Sequence, residues 1–330
     1  MLCGLQVVKS ISAQTIIYRE RLHKRLVCQQ LIPHYPVTFQ DSKTRFYFLY
    51  TLICLIWGST WLVIHIGSNA ALPPFTGAAL RFLIATTIVW IYALYKKTPL
   101  PVTIKEWGAV LVVGALSNGV SFGIVYRTSQ YVPSGLGAVI FGTMPLWAAV
   151  ISHWALQSER LTRVKILGIF LGIFGISIIF FPQFGSIDKT HVWAMSAMVI
   201  APFVSALSAV VTKRSTQNVS PIMLNAVTTS IGFIILGSIA IISEPWNSIS
   251  LNATQLWTTS YLAIFGTIVT FGIYFRLIKE TSVVTMTYVS IITPVIAVIL
   301  GWLILHENLD YYSFAGSALV ICGVGISLRM

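Results

Sequence analysis

The sequence is poor in charge and poorest in acid. Of its 330 residues only 9% are charged and nine are Asp or Glu, whereas 56% are hydrophobic. A soluble domain carries about 25% charged residues, so this chain lacks the polar side chains needed to cover a water-soluble fold. Most of its surface must therefore face lipid. The sequence indicates a polytopic membrane protein.

Other patterns that carry chemistry are also missing. The four cysteines, two in the polar N-terminal region and two inside apolar runs, form neither a disulfide framework nor a metal-ligand spacing. The phosphate-binding pattern G-x-x-x-x-G-K-[ST] does not occur, so we expect no nucleotide hydrolysis by this chain. No Asp or Glu lies within an apolar segment, which removes the usual carboxylate of a proton relay. We expect no metal and no cofactor.

Long apolar runs make up nearly all of the chain beyond residue 45. A membrane helix needs about 20 apolar residues to cross a hydrocarbon core of about 30 Å. Strands of a membrane barrel would instead alternate in polarity over about ten residues, and these runs do not alternate. The sequence thus predicts an all-α protein of the cell membrane, with a basic cytoplasmic tail at 1–45. The ten predicted transmembrane helices are 46–66, 75–94, 107–126, 133–156, 164–181, 191–212, 220–242, 257–275, 281–305 and 311–328.

The ten helices divide into two halves of five, 46–182 and 190–329, because the second half repeats markers of the first. Charged residues and prolines are rare here, so an Arg, a Pro and a Glu in register indicate an internal repeat. Paired glycines at equal spacing also predict close helix packing. The matching residues are Phe122 and Phe271, Arg127 and Arg276, Pro145 and Pro294, Glu159 and Glu307, Gly168 and Gly316, and Gly175 and Gly323.

An odd number of helices per repeat places the second half upside down relative to the first. The basic residues agree with this arrangement. With the N-terminus inside, eighteen of the 21 Lys and Arg fall in the tail or in inner segments. The net charge of +12 is then explained by topology, and no nucleic-acid partner is expected. We predict inverted repeats with both termini cytoplasmic.

Inverted repeats are typical of transporters that work by alternating access, with the substrate site near the midplane between the repeats. Arg81 is the first candidate for that site. The apolar stretch after it has only 14 residues, so its helix must begin earlier and carry Arg81 into the bilayer. An intramembrane arginine costs at least about 2.5 kcal/mol, which favours a functional role. The alternative is an arginine that snorkels to the outer headgroups or packs against backbone carbonyls.

Polar side chains provide a second set of candidates. Asn118 and Ser121 correspond through the repeat to Thr267 and Thr270, and the members of each pair are three residues apart. Each pair is therefore expected to share a helical face, and the two faces could line one cavity. The alternative is that these side chains form hydrogen bonds between packed helices.

Prolines and tryptophans complete the candidate set. Pro145 and Pro294 fall near the middle of their segments, where each predicts a helix kink, either beside the pathway or as an incidental feature. Trp57 and Trp61 are four residues apart on one face, and Trp57 is too deep for the interfacial belt. Trp147 lies beside Pro145. We expect these indoles to line the cavity or to pack against a neighbouring helix.

Several short motifs fall in register with this architecture: Trp57-Gly58-Ser59, Arg81-Phe82, Pro145 with Pro294, and Glu159 with Glu307. Together with the two inverted five-helix repeats, they resemble the EamA branch of the drug/metabolite transporter superfamily over residues 46–328. The resemblance implies a secondary transporter, usually an exporter, of small metabolites such as amino acids or related amphipathic compounds, with a central cavity. A small-molecule substrate and membrane lipid are the expected partners, and a homodimer is left open.

A polytopic membrane enzyme and a channel are the competing classes. An enzyme needs two or more polar catalytic groups at one depth, and the sequence does not supply them. A channel usually needs a ring of like residues from oligomeric symmetry, which the two-fold repeat does not indicate. We therefore predict a transporter with no enzymatic activity.

Overall fold

The computed structural model describes residues 39–68, 72–132, 134–156, 162–179, 181, 192–245, 252–305 and 311–328. Within these ranges the chain forms helices joined by turns and contains no strand. Residues 1–38, most of the predicted tail, lie outside these ranges. The helix packing described below belongs to the compact unit Phe48–Met330. The helices are α1 Phe39–Ser68, α2 Pro74–Tyr95, α3 Ile104–Thr128, α4 Ser134–Phe141, α5 Met144–Ala155, α6 Arg163–Ile179, α7 Val192–Ser215, α8 Pro221–Ser243, α9 Ala253–Glu280, α10 Val283–Thr287, α11 Val289–Leu305 and α12 Tyr311–Leu328.

These helices overlap the predicted apolar segments, two of which, 133–156 and 281–305, each contain two helices. In the described part of the chain, six stretches are long and apolar enough to cross a membrane: α2, α3, α7, α8, α9 and the run Val283–Leu300. Shorter apolar stretches occur at Val139–Ala155 and Tyr311–Ile326. The helical membrane architecture is thus confirmed, and the number of ten crossings stays a prediction.

The helices α3 and α9 begin with the same capping arrangement. Thr103 Oγ1 accepts from the Glu106 N–H at 3.2 Å, while the Glu106 carboxylate accepts from the Thr103 N–H at 3.1 Å. Asn252 and Gln255 form the same reciprocal pair, with distances of 2.8 and 2.9 Å. Each pair satisfies two backbone donors that would otherwise lack a partner at a helix start. Thr103 and Asn252 are separated by 149 residues, the offset of the sequence repeat.

Both helices also widen into a π-helical turn at equivalent positions. The turns are Ala115–Ser121 in α3 and Ile264–Val269 in α9, and their first residues are again 149 apart. Such turns are rare, and they concentrate at functional sites. Hydrophobic periodicity predicts neither of them.

The two repeat-related prolines occupy different positions in their helices. Pro145 lies in the first turn of α5, after a short break that follows α4. The kink predicted at Pro145 is therefore corrected to a helix break, because a proline in a first turn has no backbone hydrogen bond to lose. Pro294 lies inside α11, where the kink stays a prediction, and α7 contains a further interior proline, Pro202.

Equivalent helices of the two halves pack against each other, α2 on α8 and α6 on α12. Phe82 is fully buried where α2 meets α8. Glu244 is the residue directly after α8. Its carboxylate accepts hydrogen bonds at the start of α2 from the backbone N–H groups of Phe75 and Thr76, at 2.7 Å each. A carboxylate is favourable there because a helix N-terminus carries partial positive charge. These contacts hold α2, the helix that carries Arg81, against the second half.

Candidate functional site

A cavity of about 200 Å³ is lined by residues from both halves of the chain. Its walls come from helices α1 to α5 and from α7, α9, α10 and α11. The lining is mainly apolar and aromatic, including the rings of Trp57, Phe122, Phe271 and Tyr274, and most of its polar atoms are hydroxyls. An apolar concavity with a few convergent polar groups is typical of a small-molecule site.

Arg81 supplies a cation to this cavity. It is only 3% exposed, and α9 orients it: Nε donates to Thr267 Oγ1 at 2.8 Å, and Nη2 donates to the Gly266 carbonyl at 2.9 Å. The Tyr126 hydroxyl accepts a longer bond from Nη1 at 3.4 Å, and the Phe122 ring centre lies 5.1 Å from Cζ. The guanidinium is thus held inside the protein, where it packs against a backbone carbonyl as one alternative interpretation expected, and it does not snorkel to a membrane surface.

Arg81 is the only charged residue among the described residues that line the cavity. Its described partners are hydroxyls, a carbonyl and aromatic rings, none of which carries a formal negative charge. These bonds involve three of the five guanidinium N–H groups. A buried cation without a counter-charge is unfavourable, and the arrangement leaves guanidinium N–H groups that can donate to an anionic group.

The predicted tryptophans lie in different environments. Trp57 lines the cavity, donates from Nε1 to the Gly266 carbonyl at 3.1 Å and packs edge-on against Phe271 at 5.6 Å. Trp147 is not part of the lining, and its ring instead packs against Phe203 of α7 at 5.4 Å. The Trp61 side chain lies outside the described residues.

The four repeat-related polar residues do not line one cavity together. Ser121 lies in the lining, within 2.7 Å of the Ser205 hydroxyl. Thr267 lies behind Arg81, Thr270 donates to its own helix at the Phe265 carbonyl, and Asn118 is fully buried outside the lining. The prediction of shared faces assumed an α-helix. A π turn takes more residues per turn, so residues three apart no longer point the same way.

Sequence reasoning missed most of the polar lining. Ser205, Ser208 and Thr212 of α7 line the cavity, and so do Ser290 and Thr293 of α11. The signal was present, since hydroxyl residues recur at intervals of three or four in otherwise apolar segments, the spacing of one helical face. The contribution of the Gly266 carbonyl had no sequence signal, because it depends on the π turn.

The two halves of the chain each match the same family of known proteins. The sequence model of the EamA-like transporter family matches the chain twice, at residues 44–181 and 192–329. The chain belongs to this family. Among EamA-like relatives, it is similar to the uncharacterized transporter YoaV of Bacillus subtilis, with 25% identity over 272 residues, 82% of this chain and 92% of the relative.

Two further relatives come from other bacteria. The uncharacterized inner membrane transporter YedA of Escherichia coli K12 is 28% identical over 271 residues, 82% of this chain and 86% of the relative. Protein PagO of Salmonella typhimurium is 25% identical over 288 residues, 87% and 93% of the two chains. One solved crystal structure superimposes with a TM-score of 0.73 at 17% identity, covering 86% of this chain and 96% of that chain, which indicates a common fold. This EamA-like chain is therefore a multi-pass membrane protein of a transporter family.

Proposed function

We propose that this EamA-like protein is a secondary transporter, acting as an exporter, for a small metabolite that carries a carboxylate or a similar anionic group. The observation that carries the proposal is the buried Arg81 in a cavity whose described lining contains no other charge. Substrate binds in this cavity and reaches each side of the cell membrane in turn. The protein is a transporter rather than an enzyme or a channel.

The topology we propose has ten crossings in two inverted repeats with both termini cytoplasmic. The base asymmetry, with eighteen of 21 Lys and Arg on one side, supports this orientation. The double match to the family model and the packing of equivalent helices on each other support the repeat. In such proteins the substrate site lies between the repeats, as this cavity does.

Arg81 binds the anionic group of the substrate in this proposal. A carboxylate accepts charge-assisted hydrogen bonds from guanidinium N–H groups, often as a bidentate pair. The bonds from Arg81 to Thr267, Gly266 and Tyr126 leave N–H groups of Nη1 and Nη2 for this purpose. The incoming negative charge compensates the buried cation, which favours the loaded cavity over the empty one.

The apolar part of the substrate contacts the aromatic wall. Trp57, Phe122 and Phe271 line the cavity, and both Trp57 and Arg81 donate to the Gly266 carbonyl, so ring and cation lie beside each other. An amino acid or related amphipathic carboxylate combines the two required features. The cavity of about 200 Å³ is smaller than the usual ligand pocket, which favours a small metabolite.

Transport by purified protein in proteoliposomes tests the proposal, with a panel of radiolabelled amino acids and aromatic carboxylates. We expect uptake of an anionic or zwitterionic compound that Arg81→Ala abolishes. Arg81→Lys should restore only part of it, because lysine lacks the bidentate fork. Arg127→Ala is the matched control, since Arg127 is exposed at the end of α3 and outside the cavity lining. Normal transport by Arg81→Ala would contradict the assigned role.

A further inference from the structure

The π turn of α9 brings two hydrogen-bond acceptors to the same guanidinium. Thr267 Oγ1 accepts from Arg81 Nε at 2.8 Å and itself donates to the Leu262 carbonyl, five residues back, at 3.0 Å. The neighbouring Gly266 carbonyl accepts from Arg81 Nη2 at 2.9 Å and from Trp57 Nε1 at 3.1 Å. One short segment of the second half thus orients two cavity residues of the first half.

The widened turn explains why the Gly266 carbonyl is available. In an α-helix this carbonyl would accept from the N–H of residue 270. Here the Thr270 N–H is directed instead to the Phe265 and Thr267 carbonyls. Gly266 therefore loses its α-helical donor and accepts from the side chains of Trp57 and Arg81.

Glycine at 266 also favours this contact sterically. A Cβ at this position would lie 3.2 Å from Arg81 Nη2 and 3.0 Å from Thr60 Cγ2, tighter than nine in ten real contacts of a Cβ. An alanine at 266 would therefore displace the guanidinium or Thr60 by a few tenths of an ångström.

The equivalent π turn in α3 differs in what it binds. Asn118 occupies the position that corresponds to Thr267, and it is fully buried. Within the described residues its amide has no hydrogen-bond partner. The backbone geometry is thus common to both halves, whereas the bonds to Arg81 Nε and to Nη2 come from the π turn of α9.

We propose that Thr267 and the Gly266 carbonyl are positioning groups for substrate binding. They accept hydrogen bonds from Arg81 Nε and from one N–H of Nη2. These bonds fix the orientation in which the other guanidinium N–H groups meet a substrate anion. Preorganisation of this kind lowers the conformational cost of binding. Thr267 touches Arg81 and is not expected to touch the substrate. The inference rests on the proposed function, since it assumes that Arg81 binds the anion.

Benzoate is the probe, because it combines a carboxylate with one aromatic ring. Its binding is measured by isothermal titration of the purified full-length protein in detergent. Thr267→Val keeps the shape but removes the acceptor, and we expect about tenfold weaker binding, as for loss of a hydrogen bond to a charged group. Thr267→Ser retains the acceptor and should stay within about twofold of the wild type. Thr258→Val is the control, because Thr258 is also buried in α9 and its hydrogen bonds among the described residues stay within its own helix, to the Thr254 and Gln255 carbonyls.

Gly266→Ala provides a second variant in case Thr267→Val folds poorly, and we expect it to weaken benzoate binding as well. If Arg81→Ala abolishes binding while both Thr267→Val and Gly266→Ala bind as the wild type does, the positioning role is overturned and the anion site stands. If Arg81→Ala binds benzoate normally, or the wild type shows no saturable binding, the proposed anion site itself fails and this inference fails with it.

Discussion

Gly175 of α6 lies directly against Gly316 of α12. A Cβ on Gly175 would come within 2.7 Å of the Gly316 carbonyl oxygen and 2.9 Å of the Val320 backbone nitrogen. Both neighbours are backbone atoms, which cannot move aside as a flexible side chain can. The last helices of the two repeats therefore pack at a distance that only glycine permits.

Gly175→Ala should destabilise the protein by about 1–3 kcal/mol through overpacking. Gly325→Ala in α12 is the control, because no atom lies within 4 Å of a Cβ at Gly325. An alanine there should be neutral or slightly stabilising, since alanine has the higher helix propensity. Thermal unfolding in detergent measures both, and equal melting temperatures for the two variants would contradict the close packing.

Glu244→Gln should loosen the start of α2. The Glu244 carboxylate accepts from the Phe75 and Thr76 N–H groups and from the Thr76 hydroxyl, all at 2.7 Å. Loss of the charge at a helix N-terminus should cost about 1 kcal/mol of unfolding free energy. Glu280→Gln removes a carboxylate from an exposed pair with Arg276 at 3.6 Å and should cost less. A larger effect at Glu280 would refute this ranking.

Trp57→Phe should weaken transport about threefold to tenfold, because it keeps an aromatic ring but loses the Nε1 bond to the Gly266 carbonyl. Trp90→Phe is a matched control, since Trp90 Nε1 donates to Ser230 at 2.9 Å outside the cavity lining. Initial uptake rates in proteoliposomes, normalised to protein content, compare the two. Similar losses in both variants would assign Trp57 a structural role only.

Reporter fusions test the proposed orientation. A reporter joined after Leu100 should be cytoplasmic, and one joined after Lys189 should lie on the opposite side, because two predicted crossings precede the first site and five precede the second. Alkaline phosphatase is active only after export, so its activity reports the outer location. A fluorescent protein that folds in the cytoplasm reports the inner location. The same location for both fusions would rule out this topology.

Particular residues show how far local sequence carries the prediction. The apolar run that follows Arg81 is too short to cross a bilayer, so length alone predicts that its helix carries this arginine into the bilayer. The glycines of α6 and α12 likewise indicate close packing through their equal spacing in the two repeats. The partners of Arg81 are different, because Thr267 and Gly266 lie 186 and 185 residues away in the chain. No local pattern connects residues so far apart.

The sequence by itself determined the membrane class, the repeated family pattern and the apolar segments that form helices, because these depend on hydrophobic length and on residues in register, which can be read along the chain. Only the tertiary structure decided which side chains face the cavity. Asn118 in the π turn of α3 and Thr270 directly after the π turn of α9 lie outside the cavity lining, and Pro145 begins a helix where a kink was expected. Side-chain direction depends on the local number of residues per turn and on the opposing helix, and neither is encoded in hydrophobic periodicity.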